Sequence, residues 1–138
     1  MSAKKTCLVI DDSDVIREIA IRIIEDLGLE TKGVSNAAEA MEFCRDANPE
    51  AVFLDWDLPS MGALDFLRGA AVLETEQKPE IILCATENDQ QQFTLAKAAG
   101  ANHHVLKPFD KFAIASKLAE IGLIDANENP ELLSANGS

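Results

Sequence analysis

Short apolar runs alternate along this chain with longer stretches whose apolar residues recur at three- and four-residue spacing. TCLVI, at Thr6 to Ile10, is β-branched and apolar and predicts a strand. SDVIREIAIRIIEDLG follows, with Ile16, Ile19, Ala20, Ile23, Ile24 and Leu27 at helical spacing. Ser13 suits the N-cap of that helix and Gly28 the residue past its end. ETKGV, at residues 30–34, reads as a weaker strand. NAAEAMEFCRDA places Asn36 and Glu39 in capping-box positions before a stripe of Ala40, Phe43, Cys44 and Ala47, and Pro49 ends that helix. AVFLD predicts a third strand and ALDFLRGAAVLE a third helix. EIILCAT, Glu80 to Thr86, gives the fourth strand, and NDQQQFTLAKAAG a helix closed by Gly100. NHHVL and DKFAIASKLAEIG supply the last pair.

Five strand–helix alternations of these lengths predict right-handed βαβ crossovers and a parallel sheet with helices on both faces. Continuous apolar runs are what strands covered on both sides require. No repeat or interdomain linker interrupts the pattern. We therefore expect one α/β domain over residues 1–121 and a C-terminal tail over 122–138, whose sequence is punctuated by Asn, Pro, Gly and Ser.

Chemistry enters at the strand ends. In an open parallel sheet, ligands bind outside the carboxyl ends of the strands. The first strand ends at Asp11-Asp12, the third at Asp55, the fourth at Thr86, and the fifth runs into Lys107-Pro108. Taken singly, each has a structural reading: Asp12 or Thr86 as a helix cap, Lys107 as a surface lysine. Taken together they share one edge. Two carboxylates about 4 Å apart repel by roughly 4 kcal/mol at an effective dielectric near 20. Such a cluster calls for positive charge. Lys107 supplies one unit, and Mg²⁺, which takes oxygen ligands and needs only one or two carboxylates, supplies two. A carboxylate beside Mg²⁺, a lysine and a hydroxyl is equipped for phosphoryl transfer, with Asp55 as the nucleophile.

Composition narrows the field further. With 47% hydrophobic but only 5% aromatic residues, the core must be built from aliphatic side chains. A net charge of -12 disfavours contact with nucleic-acid backbones or anionic lipid. Cys7, Cys44 and Cys84 lack metal-ligand spacing and read as reduced, structural residues. The basic start has an apolar run of only four residues, too short for a signal peptide, and no run approaches membrane-spanning length. A cytoplasmic protein is expected.

The motifs VIDDS, FLDWDLP, CAT and LKPF, in this order and spacing, closely resemble those of the receiver domain of two-component response regulators, the single-domain chemotaxis (CheY-like) type included. The resemblance spans residues 5 to about 121. It implies strand order 2-1-3-4-5, the flavodoxin-like receiver fold. It also implies that Asp11 and Asp12 form an acidic Mg²⁺ pocket, completed by Asp55 and the backbone carbonyl of Asp57. Asp55 is then the phosphoacceptor, becoming 4-aspartylphosphate; Thr86 hydrogen-bonds the phosphoryl group and Lys107 pairs with it. The Lys107-Pro108 bond is commonly cis in such domains. Thr86 and an aromatic on the fifth strand act as a switch that remodels the face of helix four, strand five and helix five. The implied partners are a sensor histidine kinase or histidine phosphotransfer protein and a downstream protein bound by that face, without DNA or membrane. No enzyme activity is implied beyond self-catalysed phosphotransfer and dephosphorylation. A stand-alone receiver is expected.

Three places depart from the family pattern. His104 replaces the Tyr or Phe of the switch, bringing a titratable ring. Gly62-Ala63 stands where Asp-Gly is usual, so the loop beside the site can take another path. Asp57 and Asn88, two residues after Asp55 and Thr86, occupy positions that tune hydrolysis. Trp56 is read as packing beside the site, and His103 as pointing away from His104.

Other classes fit less well. A haloacid-dehalogenase-like phosphatase also uses D-x-D after an apolar strand, but its motif wants Thr or Val where Pro59 stands, and its further acidic pair follows the lysine. A nucleotide-binding flavodoxin-like module needs a glycine- or hydroxyl-rich loop after strand one, where acids stand instead. A receiver that binds partners without being phosphorylated stays as an alternative, with the burden on it because all the chemical residues are present.

Overall fold

The computed structural model describes residues 5–74, 78–86, 90–107 and 110–125. In chain order these form β1 (Thr6–Ile10), α1 (Asp14–Asp26), β2 (Glu30–Val34), α2 (Ala37–Ala47) and β3 (Ala51–Asp55). After a 3-10 turn at Pro59–Met61 come α3 (Gly62–Ala71), β4 (Glu80–Ala85), α4 (Gln90–Ala98), β5 (His103–Leu106) and α5 (Lys111–Glu120). All strand pairs are parallel, in the order β2-β1-β3-β4-β5. Fold class and strand order are those expected.

The strands read as continuous apolar runs because alternate residues serve two cores. Leu8, Ile10, Val52, Leu54, Leu83 and Ala85 pack under α2, α3 and α4, together with Phe66 and Leu67. Cys7, Val9, Phe53, Ile82, Cys84 and Val105 pack on the opposite face, under α1 and α5, with Ile24, Ile114 and Leu118. The three cysteines are free and buried. Burial first, and the charge of Glu50 second, push the Cys7 thiol up to about 12, so it behaves as a small hydrophobe.

The helix boundaries follow their caps. Ser13 Oγ accepts from the Ile16 amide at 3.3 Å, and Asp110 Oδ1 from the Ala113 amide at 2.8 Å. Asn36 Oδ1 accepts from the Glu39 amide at 2.9 Å, while Glu39 Oε1 returns to the Asn36 side-chain amide at 2.7 Å rather than to its backbone. Gly28 and Gly100, with φ of +93° and +119°, close α1 and α4 in the left-handed region that favours glycine.

Several expectations shift in detail. Ile19, read as part of the α1 core stripe, is 45% exposed. The helix meets the sheet mainly along Ala20 and Ile24, and Ile19 falls outside that strip. In α2 the buried set is Ala40, Met41 and Cys44; Ala47, at the last turn, is exposed. Strand β4 ends at Ala85, one residue before Thr86. Ile121, Leu123 and Ile124 pack against the α1–α5 core. Beyond them, residues 126–138 lie outside the described residues.

Candidate functional site

Register and alternation together assemble the site. Strands β1 and β3 pair with Cys7 opposite Ala51 and Ile10 opposite Leu54, so the next rung sets Asp11 beside Asp55. Residues 7 and 9, and 51 and 53, face α1 and α5. The pleat therefore carries Asp11 and Asp55 to that side as well. On β5, Val105 faces the same way, and Lys107 lies two residues on. A one-residue slip in any of these strands would turn its charged residue to the other face.

The consequence is a buried ion triad. Lys107 Nζ donates to Asp55 Oδ1 at 2.7 Å and to Asp11 Oδ2 at 3.0 Å. The three side chains are 6%, 2% and 5% exposed, in the order Lys107, Asp55, Asp11. Asp11 and Asp55 are the buried charged residues of the described chain. Backbone amides add to the pairing, on the second oxygen of Asp11 and on the same Asp55 oxygen that Lys107 holds. The Ser13 amide donates to Asp11 Oδ1 at 2.9 Å and the Asp57 amide to Asp55 Oδ1 at 3.0 Å. Asp12 is exposed, yet carboxylate oxygens of Asp11, Asp12 and Asp55 come within 4.8 Å of one another.

Electrostatics leave the buried triad of Lys107, Asp11 and Asp55 one positive charge short. Burial pushes the Asp55 carboxyl above its ordinary value. The hydrogen bonds from Lys107 and the Asp57 amide and the lysine charge pull it back, while Asp11 pushes the same way as burial, and the net direction stays upward. For Lys107, burial alone pulls downward, but the bonds to Asp55 and Asp11 and their charges outweigh it and hold the ammonium above its usual range. A direct lysine contact ordinarily lowers a carboxylate. Here burial outweighs that contact, and one ammonium charge cannot neutralise two buried acids. The donor set is all hard oxygen, which fits Mg²⁺ and not a thiolate-seeking metal.

The other expected residues fall around this centre. Thr86 follows β4 directly and is exposed on the same rim. Asp57 is exposed; Trp56 is partly buried against the α2–α4 core, as a packing residue should be. His104 projects to the opposite face from Lys107 and stacks on Phe93 of α4, with centroids 4.2 Å apart and planes at 21°. Burial, then the charges of Lys117 and His103, lower its titration against the opposing pull of Glu120, so near neutral pH it stacks as an uncharged ring. His103 is half-buried, with Nε2 3.3 Å from Glu80 on β4. Asn88 and Pro108 lie outside the described residues.

The loop after β3 takes an unusual path. Ser60 (φ 57°) and Met61 (φ 60°) are both left-handed, immediately before α3 starts at Gly62. Gly62 itself has helical angles; it is glycine because a Cβ there would sit 3.2 Å from Leu58 Cβ. Left-handed geometry costs a non-glycine residue roughly 1–2 kcal/mol. Met61 is 66% exposed and forfeits little packing. Met61→Gly should accordingly raise stability by about 0.5–1 kcal/mol, the strain relief less the extra chain entropy. Urea denaturation checks this, and a loss of stability would contradict it.

Sequence reasoning did not single out Arg17, the Ser13 amide or Phe93. Arg17 Nη1 donates to the Asp11 carbonyl at 2.7 Å. Its one sequence signal was Asp14, three residues earlier on the same helix.

Residues 7–119 match the family model of the response regulator receiver domain, and the chain belongs to that family. Phosphoryl acceptance is the general function of the family, whose members typically bind Mg²⁺ at an acidic pocket. Chemotaxis protein CheY of Pseudomonas aeruginosa is 27% identical over 115 residues, covering 83% of this chain and 93% of the relative. The DNA-binding response regulator MtrA of Mycolicibacterium smegmatis is 25% identical over 131 residues, which cover 95% of this chain but 56% of MtrA. Among solved structures, chemotaxis protein CheY4 of Vibrio cholerae superposes with a TM-score of 0.81 over 86% of this chain and 99% of its own, at 24% identity. That likeness establishes the fold. No helix among the described residues is long and apolar enough to cross a membrane.

Proposed function

We propose that this chain is a phosphorylation-dependent signalling switch that accepts a phosphoryl group on Asp55. The observation that carries the reading is Lys107 bridging two buried carboxylates while a third closes to within 4.8 Å. Such an arrangement is costly as a structural feature, since buried ion pairs seldom repay their desolvation. It is useful where anionic oxygens must be gathered.

The residues have distinct tasks. Asp11, Asp12 and Asp55, with the Asp57 carbonyl, would hold Mg²⁺, which supplies charge neutralisation to the transferring phosphoryl oxygens. Asp55 attacks phosphorus through its carboxylate oxygen, and the donor's P–N bond breaks when the donor is a phosphohistidine. Lys107, already within hydrogen-bond reach of Asp55, moves its contact to a phosphoryl oxygen. Thr86 donates its hydroxyl to another. Because the carboxylate is held by fixed donors before the donor arrives, little reorganisation remains for the transfer. The donor is a histidine kinase or histidine phosphotransfer protein. Output passes to a protein partner at the α4–β5–α5 face, where the His104–Phe93 stack walls a hollow of about 290 Å³. Residues 1–121 carry this activity, with Leu123 and Ile124 just beyond them packed on the α1–α5 core. The site acts on its own acyl phosphate rather than turning over external substrates, DNA and membrane contacts are not needed, and the acidic chain works in the cytoplasm.

Acetyl phosphate with Mg²⁺ should add one phosphoryl group to the intact mass of the wild-type protein and none to Asp55→Ala. An unmodified wild type, or a modified Asp55→Ala, would overturn the assignment.

A further inference from the structure

One charged side chain at this edge has no part in the transfer just described. Arg17 lies one turn into α1 with its side chain 20% exposed. Its Nη1 donates to the main-chain carbonyl of Asp11 and its Nη2 pairs with Asp14 Oδ1. The stem crosses β2 at Gly33: a Cβ there would stand 3.1 Å from Arg17 Cδ and 2.7 Å from Ile21 Cδ1. Gly33 is not among the glycines with positive φ. Its missing side chain serves space, not backbone geometry.

Arg17 completes the fixing of Asp11. The amide of that residue donates to the Val34 carbonyl at 3.2 Å, its carboxylate takes the Ser13 amide and Lys107, and its carbonyl takes the guanidinium. The peptide joining Asp11 to Asp12 is thus held at its oxygen. Asp12 is exposed, and the plane of that peptide sets the direction in which its side chain leaves the strand end. A carboxylate on a freely turning peptide must be ordered as it binds a cation; one on a fixed peptide is ordered already.

We propose that Arg17 is a positioning residue for the acidic pair. It fixes the Asp11–Asp12 peptide so that Asp12 stands beside Asp11 and Asp55 before a cation arrives, and Gly33 leaves room for its stem. This deepens the reading of the site as a Mg²⁺-dependent phosphoacceptor and rests on it.

Two measurements separate the claims. The first uses metal-free protein: Arg17→Ala should shift the Asp12 amide resonance and lower its backbone order parameter. The second is a magnesium titration followed by Trp56 fluorescence, in which Arg17→Ala should bind roughly tenfold more weakly, as loss of an outer-sphere partner does. Arg17→Lys should recover part of both effects, because it keeps a donor but loses the fork. Gly33→Ala, which displaces the stem, should fall between wild type and Arg17→Ala. Combined with Asp12→Ala, the Arg17→Ala loss should largely disappear, since Arg17 acts through Asp12. An unchanged Asp12 amide in metal-free Arg17→Ala would overturn the proposal, as would strictly additive losses in the double variant. Should Arg17→Ala fold poorly, Arg17→Lys and Gly33→Ala make the same comparison. A wild type that binds no magnesium would count against the functional reading, while the metal-free amide still decides whether Arg17 positions Asp12.

Discussion

Asp55→Asn should make the metal-free protein more stable at pH 8, on the order of 1–2 kcal/mol, while abolishing phosphoryl acceptance. The four charged groups of the site, Asp11, Asp12, Asp55 and Lys107, sum to -2 when all are ionised; asparagine at position 55 reduces this to -1. The amide oxygen of asparagine can still accept from Lys107 and from the Asp57 amide. Lys107 keeps its charged partner in Asp11. What is removed is a buried negative charge that the fold holds at a cost.

The pH dependence follows from the upward direction of the Asp55 shift. The folded carboxyl titrates above its ordinary value of 3.8 because burial disfavours the ionised form. Below 3.8 both folded and unfolded states are protonated and the penalty vanishes. As pH rises from there through the folded value, the unfolded state sheds its proton first and stability falls. Once pH has passed the folded value both states are ionised and the folded state bears the penalty in full. The advantage of Asp55→Asn should therefore be present at pH 8 and fade towards pH 4. Magnesium should reverse the ranking, because a ligand that binds only the folded wild type stabilises it by mass action. Thermal melts at both pH values, with and without magnesium, check the whole pattern. A variant less stable than wild type at pH 8 without magnesium would show that Asp55 is a structural acid, and the electrostatic account would fail with it.

The architecture was legible because each strand is a short apolar run and each helix has a regular stripe and a cap. The acids at the strand ends were legible because parallel strands must finish on one edge. What the one-dimensional pattern does not contain is angular and lateral detail. Ile19 has the right spacing for the core, but the width of the α1 contact strip is set by how the helix lies across the sheet. Arg17 is invisible for a similar reason: its partner is a backbone carbonyl six residues away, and its room is made by a glycine on another strand. Nor does the spelling PSMG disclose two consecutive left-handed residues, since neither serine nor methionine is selected for that geometry. The His104–Phe93 stack joins a strand to a helix through side chains eleven residues apart, with no periodicity to announce it.

Lys107→Met should be the most damaging single change at the site, costing about 3 kcal/mol at pH 8. Methionine fills much of the space of the lysine stem, so the loss is chiefly of charge. Asp11 and Asp55 would remain 3% and 2% exposed, with only the Ser13 and Asp57 amides to serve them. Removing one member of a buried ionic group strands the others, which is why the loss exceeds the net worth of the pairing itself. Lys107 titrates above its ordinary value of 10.5, so its contribution is complete at all lower pH and is lost only as alkaline pH passes the folded value. Wild-type protein thus holds this contribution unchanged between pH 5 and pH 8. The variant does not behave so simply. Without the ammonium, nothing but backbone amides opposes the burial of Asp55, its carboxyl moves further upward, and protonation towards pH 5 relieves the stranded charge. The deficit should consequently be large at pH 8 and clearly smaller at pH 5, as measured by urea denaturation at each pH. An equal deficit at both would mean that lost packing, and not the unbalanced acids, explains it.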